Sequence, residues 1–240
     1  MSVAFDEIEH KNQIKNLISV PEFNLASVLE TPSLYMSRQN FTKMLTRIEL
    51  FKKIINVQGS IVECGTYKAD SLLTFFHMST ILEPFSFTRK IIGFDTFTGF
   101  PTKSDKDNYQ FALEGHLSDV DLSHIKKVVE IQELNKAVPE IRKIELVEGN
   151  ASESIPQYVG DNPHLIISLL YLDFDLYEPT KIALEQLLPR VVRGGIVAFD
   201  ELNQLKWKGE TQALHEVIGI GNVALRKFSF DGHVSYYRIE

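Results

Sequence analysis

The chain has 240 residues, of which 44% are hydrophobic and 24% charged, which is typical of a globular α/β protein with one substantial core. Its formal net charge of -7 at pH 7 argues against a protein that coats nucleic acid or an anionic membrane, because either role needs a clustered basic surface. The single cysteine, Cys64, excludes an intrachain disulfide and a cysteine-rich zinc site, and it is expected to be a buried strand residue.

The N-terminal part of the chain is predicted to be helical. The stretches FDEIEHKNQIKNLI and RQNFTKMLTRIELFKKIINV have helical apolar spacing, so residues 1–58 are expected to form a helical cap. The first fifteen residues lack the basic and apolar regions of a signal peptide, and no long uncharged apolar window occurs, so we expect a cytoplasmic protein without a membrane span. One side of the second helix is predicted to carry Phe41, Leu45, Ile48, Phe51 and Ile55.

Short β-branched or aromatic runs and helical patterns alternate over residues 59–240. Strands that are apolar on both faces and are separated by helices predict a doubly wound, mostly parallel α/β sheet of the Rossmann-like type. The C-terminal runs ALRKFSF and HVSYYRIE flank Asp231-Gly232, which suits a type I′ turn, so an antiparallel hairpin is expected there. The predicted strands are SIVEC (60–64), KIIGFD (90–95), IELVEG (144–149), LIISLLYLDFD (165–175) and GGIVAFDE (194–201).

Residues 100–143 form a polar connection that is long for a compact domain. Connections of this length are usually functional or disordered, and a helical pattern over about 121–137 favours an ordered lid. The sequence therefore predicts one globular unit: a helical cap over residues 1–58, a sheet domain over 59–240, and this lid inserted in it.

Acidic residues lie at or near the ends of four of the five predicted strands. Ligands of doubly wound sheets bind at the carboxyl ends of the strands, so these residues are candidates for a site. Acids that meet on one rim repel one another unless a cation or hydrogen-bond donors lie between them. The strand-end segments are Glu63-Cys64-Gly65-Thr66-Tyr67, Asp95-Thr96-Phe97, Gly149-Asn150-Ala151, Asp173-Phe174-Asp175 and Asp200-Glu201.

Each strand-end motif, taken singly, also has a purely structural explanation. Gly65 is a lone glycine where dinucleotide-binding loops usually have three, and a strand-to-helix turn would need one in any case. Asp95 lies where a ribose-binding acid is expected, although a helix cap or turn would also explain it. Capping explains Asp173, Asp200 or Glu201 individually better than it explains all three together.

Four segments resemble the macrocin O-methyltransferase family, whose members methylate sugar hydroxyls with S-adenosylmethionine and a divalent metal. They are SIVECGTYKADSLLTF, IIGFDTFTGFP, LLYLDFDLYEPTKIALEQLLPRVVRGGIVAFDELN and WKGETQAL, and the similarity extends from about Met36 to Leu214. The sequence departs from the family at YKADS, where the first motif is usually richer in glycine, and at Glu201, where the family has aspartate.

The resemblance implies that S-adenosylmethionine is the cofactor. Gly65, with the helix that follows it, is expected to receive the cofactor's carboxylate, because helix N-termini bind anions. Asp95 is expected to accept the two ribose hydroxyls, and Asn150 and Ala151 to lie against the adenine edge. The full predicted set of cofactor residues is Glu63, Gly65, Thr66, Tyr67, Ser71, Asp95, Thr96, Phe97, Asn150 and Ala151.

The resemblance also implies a metal site and a base. Asp173, Asp200 and Glu201 are expected to hold Mg²⁺ or Mn²⁺, since carboxylate oxygens suit these ions. A bound metal lowers the pKa of a coordinated hydroxyl, and Asp175, or Asp173 as a shared ligand, is predicted to be the catalytic base.

The acceptor is expected to be a small sugar, either linked to a nucleotide or part of a glycoside. Tyr35 and Arg38, together with the lid, are predicted to enclose it, and His215 and His233 are further candidates for the base. The sequence leaves a homo-oligomer open.

Two other functions fit parts of the pattern. A metal-dependent glycosyltransferase also uses an Asp-x-Asp at a strand end, and Asp173-Phe174-Asp175 has that form. The acids on the next strand and the early Glu-x-Gly loop favour the methyltransferase. A non-catalytic cofactor-binding relative is the second alternative, and the intact set of acids argues against it.

Overall fold

The computed structural model describes residues 3–101, 104–107, 113 and 116–240. It has two compact units, of which one ends at Leu45 and the other extends from Thr46 to Glu240. The first contains α1 (Val3–Ile18), α2 (Ala26–Glu30), a 3-10 turn (Pro32–Leu34) and the start of α3 (Arg38–Ile54). The expected boundary near residue 58, the lid over 100–143 and the single globular unit stay predictions, and part of the lid lies outside the described residues.

In the described residues, the second unit contains a seven-stranded sheet with helices between most of the strands. The strands are β1 (Ser60–Cys64), β2 (Ile91–Asp95), β3 (Ile144–Glu148), β4 (Ile167–Leu172), β5 (Val191–Phe199), β6 (Arg226–Lys227) and β7 (Ser235–Arg238). The helices after α3 are α4 (Asp70–Leu82), α5 (Leu122–Glu133), α6 (Ala151–Asp161), α7 (Tyr177–Leu187) and α8 (Lys208–Val217).

The strand order is β3-β2-β1-β4-β5-β7-β6, with β1 to β5 parallel and β7 antiparallel to both β5 and β6. This confirms the predicted doubly wound, mostly parallel sheet and its antiparallel C-terminal pair. The order reverses between β1 and β4, and such a reversal opens a crevice at the carboxyl ends of the strands. This topology therefore points to the strand ends at Glu63-Cys64-Gly65 and Asp173 as the expected place for a ligand.

The predicted two-residue turn of the C-terminal hairpin is wrong. Lys227 pairs with Ser235, so residues 228–234 all lie between the two strands. Neither Asp231 nor Gly232 has the positive φ that a type I′ turn requires. Instead the buried Asp231 side chain accepts the amide of His233 at 2.9 Å and the hydroxyl of Thr46. A tertiary contact to α3 thus determines the shape of this loop.

The core consists of two apolar layers, one on each face of the sheet. Alternate strand residues enter opposite layers, as Val62 and Leu170 do on one face and Ile61 and Leu169 on the other. Cys64 is fully buried in the first layer, as expected. Within the described ranges, no helix is long and apolar enough to cross a membrane.

Helix α3 covers the second layer with a different face from the one predicted. Phe51 is buried as expected, but Phe41 is 54% exposed. The buried residues of the helix follow the helical spacing of three and four residues and are Thr46, Arg47, Leu50, Phe51 and Ile54. The prediction was wrong in its register because the buried stripe begins with two polar residues, Thr46 and Arg47, which an apolar pattern does not count.

The helix predicted over about 121–137 is present as α5, but it ends at Glu133. Asp121 caps its first turn by accepting the amide of His124 at 3.0 Å. At its other end, the buried Glu133 carboxylate accepts the amides of Lys143 and Ile144 at 2.7 and 2.6 Å. These bonds tie the end of the helix to the start of β3.

The amino ends of the strands are held together by one buried arginine, Arg89. Its Nε donates to Glu83 at 2.7 Å, and its other nitrogens donate to Ser168 and to three main-chain carbonyls. Those carbonyls belong to Ile54, Val57 and Gly59. Arg89 therefore joins α3, β1 and β4 at the edge of the sheet opposite the crevice.

Candidate active site

Left-handed backbone conformations cluster at the carboxyl ends of the strands. Tyr67 (φ 47°), Phe97 (φ 54°), Asp175 (φ 63°) and Asn203 (φ 63°) follow β1, β2, β4 and β5, respectively. Residues other than glycine adopt positive φ uncommonly, and bulky ones rarely. Strain of this kind persists only where the surroundings enforce it, and it concentrates at functional sites. This edge of the sheet is therefore the candidate active site.

Asp95, at the end of β2, is held by the main chain on both sides. One carboxylate oxygen accepts the amide of Tyr67 at 2.7 Å, and the other accepts the amide of Phe97 at 2.7 Å. The two left-handed residues thus direct their N–H groups at the same carboxylate. Each oxygen retains a further lone pair, so the carboxylate can still accept hydrogen bonds from two hydroxyl groups.

Gly65 has a structural reason to be glycine. Its φ is +95°, and a Cβ at this position would lie 1.9 Å from the main-chain oxygen of Asp173. The amide of Asp173 also donates to the carbonyl of Cys64 at 2.8 Å. Gly65 therefore allows the ends of β1 and β4 to meet, which positions Asp173, and its predicted contact with the cofactor stays a prediction.

The loop after β1 contacts the segment before α5. The hydroxyl of Tyr67 donates to Asp119 at 2.7 Å, and the ammonium of Lys68 pairs with the same carboxylate at 2.6 Å. Lys68 holds the pKa of Asp119 below its ordinary value. These exposed contacts join the predicted cofactor loop to the predicted lid.

The other predicted cofactor residues after β2 and β3 have local structural roles. The hydroxyl of Thr96 donates to the carbonyl of Gly99 at 2.6 Å, which closes the turn after β2. Asn150 is the N-cap of α6, where its side chain accepts the amide of Ser152 at 3.1 Å, and Ala151 is buried in the core. Their predicted contact with adenine stays a prediction.

Glu63 is a fully buried carboxyl group at the end of β1. The hydroxyl of Ser71 donates to one of its oxygens, which brings together two residues predicted to bind the cofactor. Burial, opposed by Ser71 and Arg47 and supported by Asp95 and Asp70, raises the pKa of Glu63 to about 8.

Asp173 and Asp200 lie together beyond β4 and β5. Burial and the charges of Asp200, Asp175 and Glu210 raise the pKa of Asp173 well above its ordinary value, while Arg47 opposes the shift. Asp200 is 4% exposed.

Tyr171 connects Asp200 to Arg47. Its hydroxyl donates to Asp200 at 2.5 Å, and the guanidinium carbon of Arg47 lies 5.9 Å from its ring centroid. Side chains two residues apart in a strand point to the same face of the sheet. By this rule Glu63 lies on the same face as Ile61, Tyr171 and Asp173 on the same face as Leu169, and Asp200 on the same face as Ile196 and Ala198. All four therefore lie on the face that α3 covers.

Glu210, which sequence reasoning did not select, joins the loops after β4 and β5. It is fully buried in the first turn of α8 and accepts the amides of Asp175 at 3.3 Å and Glu201 at 3.2 Å. Burial and the nearby Asp175 and Asp200 raise its pKa well above the ordinary value. The sequence signal for Glu210 was its position in WKGETQAL, one of the family-like segments. Acids are common in the first turn of a helix, so this position did not single it out.

The three predicted metal ligands are not arranged as one coordination group. Glu201 directs its carboxylate to His233, with 3.5 Å between Oε2 and Nδ1, while Asp200 binds Tyr171. Over the residues that the structure describes, no three His, Cys, Asp or Glu side chains are placed to hold a metal ion. The donor chemistry nevertheless suits Mg²⁺, which is often bound by only one or two carboxylates together with water and substrate oxygens.

Three further candidates come from other elements of the chain. Tyr35 and Arg38 belong to the unit that ends at Leu45, where the Tyr35 ring packs edge-on against Phe23 at 5.6 Å and Arg38 is exposed at the start of α3. His215 is exposed on the last turn of α8. The roles assigned to these three residues stay predictions.

Comparison with known proteins identifies related sequences and structures. The family model described as macrocin O-methyltransferase (TylF) matches residues 27–238. A structure of the calicheamicin methyltransferase CalS11 is 32% identical over 97% of this chain and 92% of that chain, with a TM-score of 0.92. No protein among the curated sequences matches the chain.

Two further structures extend the comparison. An apo structure of CalS11, described as a TDP-rhamnose 3′-O-methyltransferase of calicheamicin biosynthesis, is 32% identical with a TM-score of 0.84, covering 97% of this chain and 94% of that one. The O-methyltransferase NovP is 18% identical with a TM-score of 0.65 over 82% of this chain and 79% of that chain, which shows a shared fold alone.

Proposed function

The chain belongs to the macrocin O-methyltransferase family, and from that premise we propose that it transfers the methyl group of S-adenosylmethionine to a sugar hydroxyl. The protein is an O-methyltransferase, as its family and the CalS11 structure indicate. The sugar acceptor, the methyl donor and the metal are the parts that the proposal adds.

One observation carries the proposal: a carboxylate held by main-chain amides and a group of crowded carboxylates both lie at the carboxyl edge of the sheet. Asp95 is an ordered acceptor with main-chain amides at 2.7 Å on both oxygens. Asp173 and Asp200 lie across the β1/β4 crevice in a crowded acidic group. The Asp95 carboxylate suits the ribose hydroxyls of a nucleoside-linked methyl donor. A basic carboxylate on the other side of the crevice suits the hydroxyl group that receives the methyl.

S-adenosylmethionine supplies an electrophilic methyl group on a sulfonium. Asp95 would fix the ribose of this donor with its remaining lone pairs, and the amides of Tyr67 and Phe97 hold the carboxylate in place. The protein then needs only to align the acceptor oxygen with the methyl–sulfur bond, and such alignment can supply much of the rate enhancement.

Asp173 is the best-supported base in the group. Its pKa is raised by burial and by neighbouring carboxylates, so its conjugate base takes up a proton more readily than an exposed aspartate does. In the proposed step, the hydroxyl oxygen forms a bond to the methyl carbon while the carbon–sulfur bond breaks. Asp173 accepts the hydroxyl proton, and S-adenosylhomocysteine leaves. Asp175, whose amide is held by Glu210, is the alternative proposed from sequence.

We include a divalent metal, Mg²⁺ or Mn²⁺, in the proposal. Asp173 and Asp200 would hold it, with Glu201 as the third ligand suggested by the sequence after release from His233. The metal would polarise the acceptor hydroxyl. The crowding of carboxylates that raises the pKa of Asp173 supports a cation here, because such repulsion is relieved by bound positive charge.

A nucleotide-linked sugar is the acceptor to test first, because one 32% identical relative is described as acting on TDP-rhamnose. A glycoside is the second class. The cytoplasmic location and the open question of a homo-oligomer stay predictions from the sequence.

The decisive experiment is methyl transfer to a sugar panel. The protein is incubated with S-adenosylmethionine, Mg²⁺ and nucleotide-linked sugars, beginning with TDP-rhamnose, and then with glycosides, and methylated products are detected by mass spectrometry. Asp173→Asn should lower kcat by about 10²- to 10⁴-fold, the range for losing a general base. The exposed neighbour Glu178 provides the matched control, since Glu178→Gln should retain activity.

Different outcomes address different parts of the proposal. Sugar transfer from a nucleotide-sugar, without methylation, would replace the methyltransferase assignment by a glycosyltransferase. Full methylation in excess chelator would remove only the metal. Unchanged kcat in Asp173→Asn would assign the base to another residue, with Asp175→Asn as the next variant.

A further inference from the structure

A stack of three aromatic rings lies at the β7–β6 end of the sheet. The ring centroids of Phe228 and Phe230 are 5.3 Å apart, and those of Phe228 and Tyr236 are 5.0 Å apart, with the rings close to parallel in both pairs. Tyr236 is 7% exposed, Phe228 is partly buried against the apolar layer under α3, and Phe230 is 43% exposed. The stack therefore leads from the core to the surface and ends in a ring that a ligand can reach.

The stack lies at the same edge of the sheet as the acidic group. The loop over residues 228–234 ends beside β5, since Ser235 pairs with Phe199, the last residue of that strand. In this loop, Nδ1 of His233 lies 3.5 Å from the carboxylate of Glu201. Neighbouring strands are about 5 Å apart, and β6 is the second strand from β5, so the end of β6 lies on the order of 10 Å from the acids that follow β5.

Contacts with α3 hold the loop next to the exposed ring. The buried carboxylate of Asp231, which directly follows Phe230, accepts the hydroxyl of Thr46 and the amide of His233 at 2.9 Å. Phe228 packs against the layer that α3 covers, and this is also the face on which the acidic group lies. The position of Phe230 is thus set by the folded chain, so a ligand that stacks on it needs little ordering of the protein.

Two basic side chains lie beside the stack. The ammonium of Lys53 is 5.4 Å from the ring centroid of Phe228 and 5.1 Å from that of Tyr236. Arg226 is exposed and pairs with Tyr236 across the two strands, so its side chain lies on the same face of the sheet. Within the described part of the chain, neither cation forms an ion pair. A chain with a net charge of -7 therefore has uncompensated positive charge at this place.

We propose that Phe230, Arg226 and Lys53 bind the nucleotide part of a nucleotide-linked sugar acceptor. The base stacks on Phe230, the diphosphate lies against the two cations, and the sugar extends toward the acids after β4 and β5. The inference rests on the proposed function and deepens it by assigning the acceptor class to named residues.

The chemistry of the three side chains favours a nucleotide over a neutral glycoside. An aromatic ring stacks with any nucleobase, and cations next to the ring attract the phosphates, which is the combination that nucleotide-binding surfaces use. A neutral glycoside could use the ring but has no charge for Arg226 and Lys53 to pair with.

The arrangement also places the two substrates on opposite sides of the acids. Asp95, which is proposed to bind the ribose of the methyl donor, follows β2, whereas the aromatic stack belongs to β7 and β6 at the far side of the strand order. The strands β4 and β5, which end at the acids, lie between them. Donor and acceptor can therefore approach the same acids from opposite directions, as alignment of the acceptor oxygen with the methyl–sulfur bond requires.

The test measures two ligands by titration calorimetry on the full-length protein. Thymidine diphosphate contains the base and the diphosphate of the proposed acceptor, and S-adenosylhomocysteine represents the methyl donor. The variants are Phe230→Leu, which keeps an apolar contact with Phe228 but removes the ring, Phe230→Trp, which keeps a ring, and Arg226→Gln.

Phe230→Leu should weaken thymidine diphosphate by roughly 5- to 150-fold, the range for losing one stacked base, and leave S-adenosylhomocysteine unchanged. Phe230→Trp should retain the affinity. Arg226→Gln should also weaken thymidine diphosphate, and the remaining binding should depend less on salt concentration, because one charge contact is lost.

Two neighbouring or similar residues provide matched controls. Phe87 is 52% exposed and precedes β2, so it lies at the opposite edge of the sheet, and Phe87→Leu should leave both affinities unchanged. Lys227 is exposed and follows Arg226 in β6, so its side chain points to the other face of the sheet. Lys227→Gln makes the same change in net charge as Arg226→Gln and should have much less effect.

Each contrary outcome identifies what fails. Unchanged thymidine diphosphate affinity in Phe230→Leu, or an equal loss in Arg226→Gln and Lys227→Gln, would overturn the subsite, as would equal losses of both ligands in Phe230→Leu. Binding of S-adenosylhomocysteine without thymidine diphosphate would overturn the subsite but leave the methyltransferase. Binding of thymidine diphosphate through Phe230 without S-adenosylhomocysteine would overturn the methyltransferase and support the subsite, now in a nucleotide-sugar enzyme of the glycosyltransferase type.

Discussion

Two arginines in this protein are equally buried but have opposite surroundings. Arg89, at the amino ends of the strands, and Arg47, at their carboxyl ends, are each 5% exposed. Arg89 donates from all three nitrogens to a carboxylate, a hydroxyl and main-chain carbonyls. Arg47 has two nitrogens without a hydrogen-bond partner and only a loose ion pair at 3.8 Å.

The difference separates a structural edge of the sheet from a functional one. Where a buried charge is fully hydrogen-bonded, its interactions stabilise the folded chain, and its loss leaves partners unsatisfied. Where it is incompletely bonded, the protein tolerates a cost that a ligand can offset. The left-handed residues and the acids with raised pKa values are found at the same edge as Arg47, which strengthens this distinction.

The largest expected effect on stability is at the structural edge. Arg89→Met should lower the free energy of unfolding by about 3–5 kcal/mol, because it leaves the partly buried Glu83 carboxylate without its cation and the main-chain carbonyls without their donor. Urea denaturation of the ligand-free protein would measure the change. Arg193→Met, at an exposed arginine in β5, is the control and should have little effect. A loss at Arg89 no larger than the control would mean that its hydrogen bonds contribute little.

A second effect, of intermediate size, should appear as a pH dependence at the functional edge. The folded-state pKa of Glu63 is raised from 4.5 to about 8, with Ser71, Arg47, Asp95 and Asp70 as its polar and charged neighbours. Between these values, the folded chain holds a proton that the unfolded chain has lost. Glu63 should therefore reduce stability progressively as the pH rises from about 4.5 to about 8.

Glu63→Gln removes this titration. The stability of the variant relative to the unmodified protein should rise from acidic to mildly alkaline pH, as measured by urea denaturation across the range. The exposed Glu130 provides the comparison, since Glu130→Gln should show no such trend. Parallel pH profiles for Glu63→Gln and the unmodified protein would mean that the Glu63 carboxyl ionises normally in the folded state.

The smallest expected effect on stability is at Arg47 itself. Arg47→Met should change the unfolding free energy of the ligand-free protein by no more than about 1 kcal/mol, since replacing a poorly satisfied buried charge by an apolar side chain is often neutral or stabilising. A loss as large as that of Arg89→Met would contradict the distinction between the two edges.

The sequence alone predicted much of the fold and the outline of the site. Alternating apolar strands and helices identified the parallel sheet, and the strand-end acids identified the edge where Asp95, Asp173 and Asp200 lie. These features are readable because strand residues and the loop that follows them are close in sequence, and parallel strands all end at the same edge. The family-like segments were recognised for the same reason, since each is a continuous run of residues.

Tertiary structure alone brought two further charged residues to the carboxyl edge of the sheet. Arg47 comes from a helix before the sheet and Glu210 from a helix after it, and neither is near the strand ends in sequence. The apolar pattern of α3 pointed to a different face, because Arg47 occupies a position in the buried stripe that hydrophobic spacing assigns to an apolar residue. Contacts between distant segments also determine where the Glu201 carboxylate points, which is toward His233. In the same way, the hydrogen bond from Thr46 to Asp231 fixes the loop between β6 and β7. Local spacing determines which residues form a strand or helix, whereas the partner of a buried charge is determined only when those elements pack.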